Sequence, residues 1–111
     1  MATRYNLTGI RGDTKALSIN VPDINITGYT FRLTIKNIDD VAGDDTTAIV
    51  AKYWTSHVDT HNTVVSLLPA ETAFVEGTYK YDIQMSSPAG VVNTLIIGDY
   101  EQINDVTKTT P

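Results

Sequence analysis

The chain has no cysteine among its 111 residues, which excludes a disulfide framework, thiolate nucleophiles and cysteine-based zinc sites. Basic charge is scarce: 8 Lys and Arg stand against 13 Asp and Glu, for a net charge of -5. Proteins that grip nucleic acid need a basic surface to displace phosphate counterions, so neither DNA nor RNA is an expected partner. Long apolar runs are missing as well. Nothing approaches the ~18 consecutive apolar residues of a membrane span, and the opening MATRYNLTGIRGD lacks the apolar stretch of a secretory signal. No membrane partner is expected, and the chain reads as one made and kept in a reducing cytosol or released only by lysis. It contains no Gly-x-Ser-x-Gly and no glycine-rich phosphate loop, so neither an enzyme nor a cofactor is expected.

Helical periodicity is also lacking, and a period of two takes its place. In YTFRLTIKN the apolar Tyr29, Phe31, Leu33 and Ile35 alternate with Thr30, Arg32, Thr34 and Lys36, the pattern of a strand with one buried and one wet face. TYKYDIQM repeats it, with Tyr79, Tyr81, Ile83 and Met85 on one side. Leu17, Ile19 and Val21 make a third such strand, closed by Pro22, which cannot donate to a central ladder. TAIVAKYW, TVVSLL, VVNTLII and a short EQINDV are further candidates, rich in β-branched and aromatic residues. SSPAG, residues 86–90, reads as a hairpin loop, and PAETAFVEG, residues 69–77, can hold one helical turn between Pro69 and Gly77. A chain this short buries roughly two thirds of its unfolded surface around one core. Residues 1–111 are therefore expected to form a single domain. Seven to eight short strands at close spacing predict an all-β fold, an immunoglobulin-like antiparallel two-sheet β-sandwich. EGTYKYD adds a local sign of that class: Tyr79, two residues after a turn glycine, is placed for a tyrosine corner, with Tyr81 where a second cysteine would stand. An ordinary strand with two core tyrosines explains the same letters.

Arg11-Gly12-Asp13 is the tripeptide that adhesion proteins present to integrins. It lies between two strand-like segments, where Gly12 permits φ > 0 and Asp13 suits a turn, so a structural bend is expected and an integrin partner is not. The candidate metal set is HVDTH. His57, Asp59 and His61 share one face of a strand, and two imidazoles with a carboxylate can hold zinc. On a strand, however, His57 and His61 would stand ~13 Å apart, too far to share an ion. Neighbouring Thr, Ser and Asn favour a polar loop with solvated side chains, and no metal is expected. Asp39, Asp40, Asp44 and Asp45 crowd a second loop, but their spacing is not that of an EF-hand. Tyr53 and Trp54 can stack on a sugar, whereas a core position for Trp54 is the simpler reading.

The order of segments resembles a known family. RGDT, then an apolar strand, INITGYTFRLTIKN, EGTYKYDIQM, SPAGVVNTLIIGDY and a closing DVTK are together similar to the small immunoglobulin-like domain of tail and baseplate proteins of tailed bacteriophages, such as the N-terminal part of upper baseplate proteins. The similarity spans almost the whole chain and rests on Arg11, Gly12, Asp13, Thr14, Gly28, Phe31, Gly77, Tyr79, Tyr81, Asp82, Gly90, Thr94, Leu95, Gly98, Val106 and Thr107. YWTSHVDTHN, residues 53–62, departs from the pattern. The resemblance implies a non-enzymatic virion protein of the tail, baseplate or fibre adaptor, synthesised in the bacterial host cytoplasm and without catalytic residues. Its implied partners are other virion structural proteins, and a symmetric homo-oligomer is expected. The alternatives are a capsid-surface decoration protein and a carbohydrate- or host-surface-binding module. Two segments carry apolar residues on both faces: Ile49 with Tyr53 against Val50 with Trp54, and Leu95 with Ile97 against Val92 with Ile96. That excess makes Ile49, Val50, Val92 and Ile96 the interface candidates.

Overall fold

A computed structural model describes residues 3–38 and 48–103. Among these described residues eight strands run in chain order: β1 Thr3–Arg4, β2 Leu7–Ile10, β3 Lys15–Asn20, β4 Thr30–Asn37, β5 Val50–Trp54, β6 Asn62–Leu67, β7 Gly77–Ser86 and β8 Val92–Ile103. The larger sheet has the order β1-β8-β7-β4-β5, with β2 also on β8, and the smaller sheet is the pair β3-β6. Val106, Thr107 and the acidic Asp39, Asp40, Asp44 and Asp45 lie outside the described residues.

Alternation places the core as expected. Phe31, Leu33 and Ile35 of β4 are fully buried, and Tyr79, Tyr81, Ile83 and Met85 of β7 line up beside them. Ile19, Val65 and Leu67 of the smaller sheet close the sandwich from the other side. Burying a side chain such as Phe31 contributes roughly 1.5–3 kcal/mol by area alone, so these two strands carry much of the stability.

Three features depart from the sequence reading. VVNTLII and EQI are one continuous strand, β8, rather than two. The ladder between β7 and β8 slips after Ile83, which faces Ile96, while Gln84 faces Thr94. Leu95 is thus the extra residue of a β-bulge, and both Leu95 and Ile96 pack against the core. The third departure is at the N-terminus, where β1 and β2 pair with β8 in parallel, whereas the other pairs are antiparallel. Between them the backbone of Tyr5 crosses Gly98 so closely that a Cβ there would overlap the Tyr5 carbonyl.

The turns follow their chemistry. Arg11-Gly12-Asp13 carries the chain from one sheet to the other: Asp13 N donates to Ile10 O at 3.0 Å and Gly12 has φ 84°, which a β-branched residue would adopt only with strain. Residues 68–72 form one helical turn, with Thr72 N donating to Leu68 O at 3.2 Å. Tyr79 makes the tyrosine corner, its hydroxyl donating to Val75 O at 2.6 Å. Tyr81 is buried beside it, donates to Tyr5 O, and its phenol pKa is pushed up to about 12 by burial, then by the neighbouring Tyr5.

A candidate binding face on the larger sheet

The wet faces of β4, β7 and β8 build one surface. Register sets Arg32 beside Gln84, Thr34 beside Asp82 and Lys36 beside Lys80, while Asp82 and Arg4 both face Ile97. The middle row, Thr34, Asp82 and Ile97, is short, and the rows flanking it are long side chains. The result is a groove of about 320 Å³ running across the strands, walled by Arg32 and Gln84 on one side and Lys36 and Lys80 on the other, with Arg4 at its end. Burial on the groove floor raises the Asp82 pKa above the usual carboxylate value, opposed by the charges of Arg32 and then Lys36. Lys80 is ion-paired with Asp99, whose pKa is lowered first by that hydrogen bond. Arg32 lies over the Tyr53 ring, 5.0 Å from its centroid, which stiffens one wall.

Four of the chain's 8 basic residues thus meet on one face of a protein with net charge -5. Such a surface favours anionic groups of a partner and steers their approach. The signal was present in FRLTIK and KYDIQ, where the positions opposite the core alternate through Arg32, Thr34, Lys36, Lys80 and Asp82. Arg4 was not readable, because only the parallel pairing of β1 with β8 brings it there.

The structure redistributes the interface candidates. Val50 is a core residue at 7% exposure and is corrected from surface to interior, while Ile49 and Ile96 are partly buried with one side packed against the core. The β-bulge at Leu95 explains Ile96, since one extra residue turns two successive side chains inward. Val92 remains exposed at 55%. Tyr53 and Trp54 point to opposite faces and cannot form one sugar platform. Trp54 stacks on Phe31 with ring centroids 5.7 Å apart, whereas Tyr53 is 60% exposed.

The histidine segment is an exposed polar loop at Asp59, as expected, but its two imidazoles are partly buried and held by hydrogen bonds. Trp54 Nε1 donates to Thr63 Oγ1 at 2.7 Å, His57 Nδ1 lies 2.9 Å from that hydroxyl, and His57 Nε2 lies 2.9 Å from Tyr29 O. One tautomer satisfies the chain: Thr63 donates to Nδ1 and Nε2 donates to the carbonyl. Asp59 accepts from the backbone of His61 and Asn62, each at 2.9 Å, and its pKa is lowered first by the His61 bond. His61 Nδ1 lies 2.8 Å from Ile24 O. Both histidines therefore tie loops to the core, and no group of three metal-ligating side chains occurs among the described residues.

No family model and no curated protein matches this chain. Among solved structures it is similar to the extracellular domain of mouse leukocyte-associated immunoglobulin-like receptor 1, crystallised as a strand-swapped dimer, with TM-score 0.50 and 18% identity over 96% of this chain and 87% of that one. It is also similar to the fibronectin(III)-like modules of CbhA from Clostridium thermocellum, with TM-score 0.47 and 9% identity over 93% and 92% of the two chains. The fold is an immunoglobulin-like β-sandwich. At such identities the likeness establishes the fold alone.

Proposed function

We propose that this chain is a non-enzymatic structural and assembly protein of a tailed-bacteriophage virion, in the tail, baseplate or fibre adaptor, working through protein-protein contacts and present as a symmetric homo-oligomer. The single observation that carries the contact role is the cationic groove on the outer face of the larger sheet, a built surface on an otherwise acidic protein. The segment order that resembles phage tail and baseplate domains supports the virion assignment. An acidic surface of a neighbouring virion protein is the partner that this groove fits, and the exposed Val92 adds an apolar contact beyond it.

The test is incorporation into particles. Arg4→Glu combined with Lys36→Glu reverses charge at the end and one wall of the groove without touching the core. The folded variant, checked by its melting temperature, should be recovered free rather than on virions. Normal incorporation would refute the groove as the contact face. Absence of the wild-type chain from purified particles would refute the virion role itself.

A further inference from the structure

Among the described residues the smaller sheet has two strands, so each has one edge with no neighbouring strand. Hydrogen-bond parity decides which backbone groups face it. Val21 N donates to His61 O at 2.8 Å, and the ladder pairs Ile19 with Thr63, Leu17 with Val65 and Lys15 with Leu67. In an antiparallel pair the bonded residues alternate, so Ala16, Ser18 and Asn20 turn their N–H and C=O groups outward on β3, and Asn62, Val64 and Ser66 do so on β6.

The two edges are treated differently. On β6, Asn62 O accepts from Val58 N at 2.9 Å, Asn62 N donates to Asp59 Oδ1 at 2.9 Å, and Ser66 O accepts from Lys52 Nζ. Just past its end, Leu68 N donates to Glu71 Oε1 at 2.8 Å. This is how natural sheets blunt an edge, with an inward lysine and covering loops. On β3 nothing comparable occurs: among the described residues, the strand pairs with β6 alone. Its stretch Lys15–Asn20 has no bulge, no proline and no glycine, and its side chains at Ala16, Ser18 and Asn20 are exposed, small and uncharged. Lys15, the one charge, is turned back onto Thr8 O at 2.7 Å.

We propose that the open edge of β3 pairs with the β3 of a second copy, antiparallel about a two-fold axis at Ser18, extending the two-stranded sheet to four strands. The pattern is self-complementary. With Ser18 facing Ser18, Ala16 faces Asn20 and Leu17 faces Ile19, so small residues meet larger ones and no like charges come together. Leu17, only partly covered by its own core, gains a neighbour. A heterologous strand would have no need of an uncharged edge, whereas a strand that must meet its own copy does. A six-residue edge buries well under the ~800 Å² per partner of a stable interface. The free dimer is therefore weak, with a dissociation constant of about 0.1 to 1 mM, and is completed where copies are held together. The proposal gives the oligomer of the proposed function its surface and rests on that part of it.

Sedimentation equilibrium of the whole purified chain, from micromolar to millimolar, tests it together with amide hydrogen exchange. Wild type should dimerise at the upper end, with protection at Ala16, Ser18 and Asn20 that grows with concentration. Ser18→Lys and Ser18→Glu each place like charges across the axis and should lose self-association at least tenfold while melting like wild type, and an equimolar mixture of the two should regain it. A wild type that stays monomeric at millimolar concentration, single variants that dimerise as well as wild type, or a mixture that fails to associate would each overturn the pairing. Because no virion is involved, such a failure is distinct from failure of the incorporation test.

Discussion

The two faces of β4 and β7 differ in what they ask of their residues, although the same backbone ladder holds both. The inner face is nearly all apolar and closes on the smaller sheet, where Thr63 bridges Trp54 and His57. The outer face keeps Arg32, Lys36, Lys80 and Asp82 close together and raises the Asp82 pKa by burial. One face is built for stability, and the other, on the proposed function, sets a cost against contact with a partner. The difference predicts that inner substitutions move stability and leave binding to follow, while outer ones do the reverse.

The largest effect should come from Phe31→Ala. It removes a fully buried ring that contacts both Trp54 and His57, and should cost about 3–5 kcal/mol in denaturant unfolding. A loss under about 1 kcal/mol would mean that the inner face tolerates what only the outer should. Next comes Thr63→Val, which keeps the shape but strips the hydroxyl from between Trp54 and His57. It should cost about 1–3 kcal/mol, since two partly buried partners are orphaned; an unchanged midpoint would show that water replaces the hydroxyl. Tyr79→Phe removes only the bond to Val75 O and should cost about 0.5–1.5 kcal/mol, with slowed amide exchange at the 75–79 turn counting against a tyrosine corner. The smallest is Asp82→Asn. A carboxyl whose folded pKa is raised binds its proton more tightly when folded, so stability falls as pH rises from 3.8 through the folded value. Asp82→Asn should abolish that slope and be neutral or slightly stabilising at pH 7. A variant that is less stable at pH 7 than at pH 4, relative to wild type, would show that Asp82 is a structural partner of the cations instead.

Where sequence reasoning succeeded, the partners were close in the chain or the pattern was periodic. Phe31, Leu33 and Ile35 were readable because a strand inverts side chains at every step, and the Tyr79 corner because its acceptor is four residues upstream. Gly12 was readable because a turn between strands calls for positive φ. The histidine segment misled because polar letters look alike whether their groups meet water or Tyr29 O, 28 positions away. Ile96 misled because strict alternation was assumed through a bulge that only the opposite strand reveals.

Composition, alternation and turn residues by themselves determined that this protein is a cysteine-free β-sandwich of one core, and which face of its two clearest strands is wet. These follow from interactions within a few residues, which any chain with this local pattern would make. Tertiary structure alone decided that β1 lies on β8 and brings Arg4 to the groove, that Lys52 reaches across to Ser66 O and closes the β6 edge, and that β3 pairs with β6 alone among the described residues. Each of those depends on which strands become neighbours. That choice is made by burial summed over the whole core rather than by any local preference, so no short stretch of the chain records it.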